Sequence, residues 1–520
     1  MTRHRLTSLF ASAAIALAAT PFTVTAGDAT LVLHPDQDGP TIAPEIYGHF
    51  AEHLGNCIYG GIWVGPDSDI PNTRGIRNDV VDALRKLEIP VLRWPGGCFA
   101  DEYHWKDGIG PREKRPTIVN TSWGGVVESN AFGTHEFMDL VELLGCEAYI
   151  SANVGSGTVQ EMMEWVEYLT SAADSPMARL RRANGRDEPW RVRYLGVGNE
   201  SWGCGGSMTP EYYADLYRRY ATFVKQHQED TRMLKIACGA SGSDFNWTEV
   251  MMAKVGNRRM DGLSLHYYTL PTGNWGKKGS DTVFAEDAWF ATLKQTLRME
   301  ELLQQHIEIM DAHDPEQNVD LLVDEWGTWY DAEDAKGILY QQNTLRDALV
   351  AAINLHLFQD HADRISMANI AQTVNVLQAM ILTDGPDMIL TPSYHAFEML
   401  KVHQGGTAVP LQLLSPDYTH GDESIPAVTA SASRDDAGRI HLSLTNADPA
   451  NGQTLTVTLG DLGRDVDTIT GRILTAPEIT AHNTFDAPTV VEPTTFDGAT
   501  VTDGKLVIEL PAKSVVVIEI

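Results

Sequence analysis

The chain has 520 residues, 43% of them hydrophobic, enough for a large core and two domains. Against 39 Lys and Arg stand 70 Asp and Glu, a net charge of −31 spread along the sequence, which disfavours nucleic acid and polyanions as partners. Twelve Trp and sixteen Tyr suit a ligand with stackable faces, such as a sugar.

The N-terminus is basic over Met1–Arg5, runs apolar from Leu9 to Ala19 and reaches a small-x-small signal at Val24-Thr-Ala26. This reads as a signal peptide over residues 1–26, and so as a periplasmic or secreted protein. The apolar run is too short to span a bilayer, and no other window qualifies, so no membrane span is expected. Residues 27–44 contain a strand, Ala29–His34, that suits a β-domain further on. From residue 45, short apolar strands alternate with amphipathic helices. Strands are predicted at 45–53, 89–97, 147–155, 191–200, 233–240, 261–269, 319–327 and 365–372. Val80, Val81, Leu84 and Leu87 mark one helix face, and Phe137, Leu140, Val141 and Leu144 another. Thr209-Pro210 caps a helix running to about 228, 281–311 reads as one or two helices, and 343–359 as one more. Eight such units predict an α/β fold, a (β/α)8 TIM barrel over 45–400. From 401 to 520 the texture changes to period-two runs such as Ile440–Thr445 and Leu455–Leu459 between Asp, Gly and Pro turns. That predicts an antiparallel, jelly-roll-like β-sandwich packed on the barrel.

Active sites of such barrels lie at the C-terminal strand ends. Two apolar strands break off there at acidic residues, Gly198-Asn199-Glu200 and Asp324-Glu325-Trp326. A buried carboxylate costs several kcal/mol unless it is paired, so packing explains these positions poorly. Around them stand Glu52, His53, Arg93, Gly96, Gly97, Cys98, Asn153, Asn199, His266, Tyr267, Tyr268, Asn369 and Gln372. Two carboxyl groups among many hydrogen-bonding side chains are what a glycosidase needs, one protonated and one ionised. Arg93 is suited to hold the ionised partner. Five cysteines, 57, 98, 146, 204 and 238, cannot all pair and form no C-x-x-C clip, so most read as buried apolar residues; Cys98 and Cys204 fall in Gly-rich strand-end segments open to a site role.

Seven stretches in order then resemble glycoside hydrolase family 51, the α-L-arabinofuranosidases: Ile46–Gly55, Val91–Gly97, Asp107–Pro111, Gly198–Glu200, Ser264–Tyr268, Val323–Trp326 and Met367–Gln372. The resemblance implies an exo-acting, retaining enzyme with Glu200 as acid/base and Glu325 as nucleophile. It also implies that Glu52, Arg93, Cys98, Trp123, Asn199, His266, Tyr268 and Gln372 surround the furanose. Tyr268, with Tyr267 beside it, takes its place from the spacing to His266. No cofactor or metal is implied. The expected partner is an arabinose-containing plant polysaccharide or oligosaccharide, and the expected assembly is a homo-oligomer, up to a hexamer. Cys98 departs from the family's usual Asn, and a thiol is a poorer hydrogen-bonding partner.

Other readings fit less well. His49 and His53 sit at i, i+4 on a strand, too far apart for the zinc pair that a helix would make. No G-x-S-x-G marks a serine hydrolase. A non-catalytic carbohydrate-binding protein leaves the paired glutamates unexplained. An endo-acting glucanase or xylanase on the same framework would need an open cleft in place of a pocket.

Overall fold

The computed structural model describes residues 28–331, 336–460, 469–502 and 505–520. The expected signal peptide lies outside these residues. Eight parallel strands close a barrel: β1 (Gly48–Phe50), β2 (Val91–Trp94), β3 (Glu147–Ala152), β4 (Tyr194–Val197), β5 (Leu234–Ser241), β6 (Gly262–Thr269), β7 (Asp320–Thr328) and β8 (Ile365–Ala371). They fall on the eight strand segments expected from the sequence. At the end away from the strand C-termini, Val91, Tyr149, Tyr194, Ile236, Leu322 and Met367 fill the interior as an apolar plug. The barrel is therefore a packed core with one polar end.

Helices cover the outside, formed by apolar stripes and closed by ordinary caps. Val80, Val81, Leu84 and Leu87 are buried along Asn78–Leu87, which stops where Glu88 turns left-handed (φ +55°). Thr209 accepts from the Tyr212 N–H and Pro210 opens the helix to Phe223. The stretch expected as one or two helices is a single one, Glu286–His313.

The C-terminal region stacks a five-stranded sheet on a six-stranded one, with mostly antiparallel neighbours. Asp28–Leu33 joins the first sheet, antiparallel to Leu411–Leu414 and parallel to Gln453–Leu459. Leu455, Val457, Leu506 and Ile508 point inward between the sheets, as period-two patterning requires. Ile440–Asn446 differs: it is buried at every position, because its polar face meets the barrel and not water. His403, just after the last barrel helix, contacts Ser433 Oγ at 2.7 Å and Ser443 Oγ at 2.9 Å. Gln359, on the buried helix Leu345–Asp360, accepts from Ser431 Oγ and donates to Tyr47 Oη. The two domains are thus held by a hydrogen-bonded, buried interface.

Candidate active site

The polar end of the barrel opens into a cavity of about 480 Å³, lined by Glu52, Cys98, Trp123, Glu200, His266, Tyr268, Glu325 and Gln372 among others. A volume of this order suits a small ligand.

Glu325 lies within β7. The pairing of β7 with β8 slips between Val323 and Trp326. Consecutive residues of a regular strand face opposite ways; this irregularity lets Asp324 and Glu325 both reach the barrel interior. Glu325 Oε2 accepts from Arg93 Nη1 at 3.0 Å, and Oε1 accepts from the Tyr268 hydroxyl at 2.8 Å. Arg93, 2% exposed, also donates to the Asp324 carbonyl, to Ser151 Oγ and to Asn199 Oδ1. Its guanidinium lies 4.4 Å over the Phe50 ring.

Glu200 sits three residues beyond the end of β4, where Gly198 (φ +88°) and Glu200 itself (φ +39°) turn the chain sharply. Glycine supplies the first turn at no steric cost, whereas Glu200 holds a conformation that a side chain disfavours, as is common at functional strand ends. Behind it, buried Asp101 accepts from the backbone N–H groups of Val154, Gly155 and Asn199, tying the loops after β2, β3 and β4 together. Burial nevertheless pushes the Asp101 carboxyl up to about 7.

His266 is placed between the two glutamates. Its Nδ1 stands 2.9 Å from Glu200 Oε1 and 3.3 Å from Glu325 Oε2, and its Nε2 stands 3.1 Å from Asp324 Oδ1. Ligand atoms of Glu200, His266 and Glu325 all lie within 4.8 Å of one another. Burial disfavours the imidazolium, but Glu325, Asp324 and Glu200 outweigh it and raise its pKa to about 10. Asp324 is held below its usual range: burial opposes this, and Arg93 and His266 overcome it.

Glu52, 1% exposed, follows β1. It accepts from the Phe99 N–H, from Trp123 Nε1 at 2.9 Å and from Gln372 Nε2 at 2.9 Å. Gly96 makes room for it; a Cβ there would stand 2.9 Å from the Glu52 carboxyl. Burial first, and then the Glu325 charge, push Glu52 up to about 7. The same two causes raise Glu200. The charge count explains both shifts: four acids, Glu52, Glu200, Asp324 and Glu325, face two cations, Arg93 and His266. Two of the acids therefore keep protons readily.

Of the residues that the resemblance places around the sugar, Glu52, Cys98, Trp123, Glu200, His266, Tyr268, Glu325 and Gln372 line the cavity, Arg93 stands behind them on Glu325, and Asn199 accepts from Arg93. The buried Asn199 Nδ2 and Gln372 Oε1 have no hydrogen-bond partner among the described residues, and Gln372 lines the cavity. Tyr268 faces Glu325, whereas the Tyr267 hydroxyl turns away to the Gln295 carbonyl. Four other strand-end residues do structural work. His53 packs among Tyr59, Trp94, Phe99 and Tyr103, Asn153 shapes its own loop, Trp326 is core, and Asn369 is buried beside Gly48. His49 packs on Phe397, and burial lowers its pKa to about 3.

Cys98 needs a correction. It is not a thiol but half of a disulfide with Cys204, 106 residues away, and so has no proton to donate to a ligand. Cys57, Cys146 and Cys238 are free. The sequence reading also missed Asp324, Asp101, Trp202, Trp275 and Trp329; the three tryptophans line the outer cavity. Only Asp324 had a visible signal, its place next to Glu325.

A family model described as α-L-arabinofuranosidase 1 domain matches residues 83–332, and one described as α-L-arabinofuranosidase C-terminal domain matches 324–514. An intracellular exo-α-L-arabinofuranosidase of Bacteroides ovatus is 55% identical over 495 residues, 95% of each chain. The chain belongs to glycoside hydrolase family 51, the α-L-arabinofuranosidases. Among solved structures, the family 51 arabinofuranosidase of Xanthomonas axonopodis pv. citri is 53% identical with a TM-score of 0.93, covering 95% of this chain and 99% of that one. The Thermotoga maritima α-L-arabinofuranosidase in its arabinose complex is 31% identical, with a TM-score of 0.82, over 95% of this chain and all of that one (100%). The Bacteroides relative is named intracellular, which overturns the periplasmic or secreted location expected from the N-terminus. That expectation rested on composition alone, a basic start and a short apolar run, which no contact in the folded protein tests.

Proposed function

We propose that this family 51 enzyme releases terminal non-reducing α-L-arabinofuranosyl residues with retention, by double displacement. Glu325 attacks the anomeric carbon while protonated Glu200 donates to the departing glycosidic oxygen. Glu200, now ionised, then takes a proton from the water that cleaves the arabinosyl–Glu325 ester. The observation that carries this reading is the pairing of carboxyl groups in unlike surroundings. Glu325 is bound by Arg93 and Tyr268, whereas Glu200 meets His266 but neither of those two, and burial and the Glu325 charge raise its pKa. Their approach within 4.8 Å supports the retaining class, whose carboxyl groups are about 5–5.5 Å apart, over the wider inverting arrangement. Glu52, Asn199, Gln372 and Trp123 bind the furanose hydroxyls and face. Arg93 and Tyr268 hold the nucleophile and aim it.

The name of the Bacteroides relative supports work inside the cell, and hence on oligosaccharides derived from arabinan or arabinoxylan that are small enough to enter. Family likeness supports a homo-oligomer, which light scattering on the full chain would check. The catalytic reading is tested by following 4-nitrophenyl α-L-arabinofuranoside hydrolysis by proton NMR. First release of the α-anomer supports it, and first release of the β-anomer, or no turnover, overturns it.

A further inference from the structure

The disulfide occupies an unusual place. Cys98 opens the short helix Cys98–Asp101 after β2, and Cys204 lies in the turn that carries Glu200. Both sulfurs face the same carboxylate oxygen: Glu200 Oε2 is 3.5 Å from Cys204 Sγ and 4.0 Å from Cys98 Sγ. Sulfurs in a disulfide carry no hydrogen, so this oxygen receives nothing from them. The pair lines the cavity and Cys204 is exposed, so a small reductant has access. In reducing compartments an accessible disulfide of this kind is typically a labile one, and regulatory or catalytic more often than structural.

Reduction changes what the cluster can bind. The donor atoms of Cys98, Cys204 and Glu200 lie within 4.8 Å of one another. Zinc takes sulfur ligands at about 2.3 Å and carboxylate oxygen at about 2.0–2.2 Å in a tetrahedron, so the two sulfurs need only part to about 3.8 Å, with the oxygen about 3.6 Å from each. The present oxygen–sulfur distances already bracket that value. The backbone is suitably close, with the two Cα atoms 5.5 Å apart. The surroundings favour a cation as well, since among the described residues Glu200, Asp324 and Glu325 share two cations, Arg93 and His266.

We propose that Cys98, Cys204 and Glu200 form a redox-gated site for a thiophilic divalent cation such as zinc, closed as the disulfide and open as the dithiol. The chemistry balances with a dithiol reductant, which supplies two electrons and two protons. The Cys98–Cys204 bond breaks, two thiols form, and the reductant becomes a disulfide. Zinc then displaces both thiol protons into water and binds two thiolates and the Glu200 carboxylate, leaving a fourth position for water. With its carboxylate on the metal, Glu200 cannot carry a proton to the glycosidic oxygen, and turnover stops. This effect on turnover rests on the proposed role of Glu200; the binding of zinc does not.

The test uses the full chain in two forms, oxidised, and reduced by dithiothreitol that is then removed under anaerobic conditions. Zinc is titrated against a chromophoric chelator, and cobalt is substituted for a spectroscopic reading. The reduced chain should bind one zinc that the oxidised chain does not, and its cobalt form should show thiolate charge-transfer absorption. Zinc should lower turnover of 4-nitrophenyl α-L-arabinofuranoside at least 10-fold in the reduced form only, reversibly with EDTA. Cys204→Ser, treated in the same way, should lose the tight zinc, which separates this site from the free Cys57, Cys146 and Cys238. Equal zinc binding by the oxidised and reduced chains, or tight binding that survives in Cys204→Ser, would overturn the proposal. If no form turns the glycoside over, the catalytic reading fails, and the zinc stoichiometry still decides the site.

Discussion

The two strand ends that carry Glu200 and Glu325 begin from the same sequence pattern, an apolar strand closing on an acid, yet they are built differently. Glu325 stands inside β7, keeps 8% of its side-chain surface open and is held by Arg93 and Tyr268. Glu200 stands on a turn beyond β4, keeps 17% open and has His266 on one oxygen and two sulfurs on the other. The first arrangement fixes a carboxyl group in one direction. The second leaves an acid free to exchange a proton with substrate and water. The difference teaches that a fold can divide one reaction between two chemically identical side chains by what it places beside each.

The largest expected effect is at the fixed end. Glu325→Ala should lower kcat/KM by about 10⁴-fold or more, the scale seen when a member of a catalytic constellation is lost. Steady-state rates on 4-nitrophenyl α-L-arabinofuranoside check this, and a loss under tenfold would erase the comparison.

At the exchanging end, Glu200→Ala should cost about 10²–10⁴-fold on an arabino-oligosaccharide, as expected for general acid–base catalysis. The loss should shrink on the nitrophenyl glycoside, whose leaving group needs little protonation. The same role fixes a sign. Because burial and Glu325 raise the Glu200 pKa, the proton is retained above the ordinary carboxyl range. Activity should then fall as pH rises through that raised value. The limb should vanish in Glu200→Gln, whatever activity remains, and a limb that survives would assign it to another group.

Arg93→Met should unfold more easily by about 3–5 kcal/mol in denaturant titrations, since it leaves buried Asp324 and Glu325 with His266 as their one remaining cation among the described residues. The effect should be smallest at Tyr268→Phe, which removes one hydrogen bond to Glu325. A loss of about 1.5–3 kcal/mol in transition-state binding, read from kcat/KM, is expected for a bond to a charged group.

Much of this was legible because the signals were local. Strand polarity, helix stripes and caps such as Thr209-Pro210 gave the barrel, and the abrupt acids gave the two glutamates. What escaped depends on contacts distant in sequence. The slip that brings Asp324 inward with Glu325 is a matter of register between β7 and β8, which no single strand encodes. Cys98 meets Cys204 across 106 residues, with no spacing to announce it. The period-two run at Ile440–Thr445 does not say what its polar face meets: Ser443 and Thr445 lie in the buried seam between the domains, beside His403 and Thr429. Location was misread for another reason: it followed from the composition of the N-terminus, outside the described residues.

The division of labour between the two glutamates is tested most directly by azide rescue of Glu325→Ala and Glu200→Ala on 4-nitrophenyl α-L-arabinofuranoside, with the anomer of each glycosyl azide read by NMR. Azide taking the place of the nucleophile attacks once and inverts; azide taking the place of the base-assisted water attacks the arabinosyl–Glu325 ester and gives net retention. The account predicts the β-azide from Glu325→Ala and the α-azide from Glu200→Ala. The same anomer from both variants, or the opposite pairing, would contradict it.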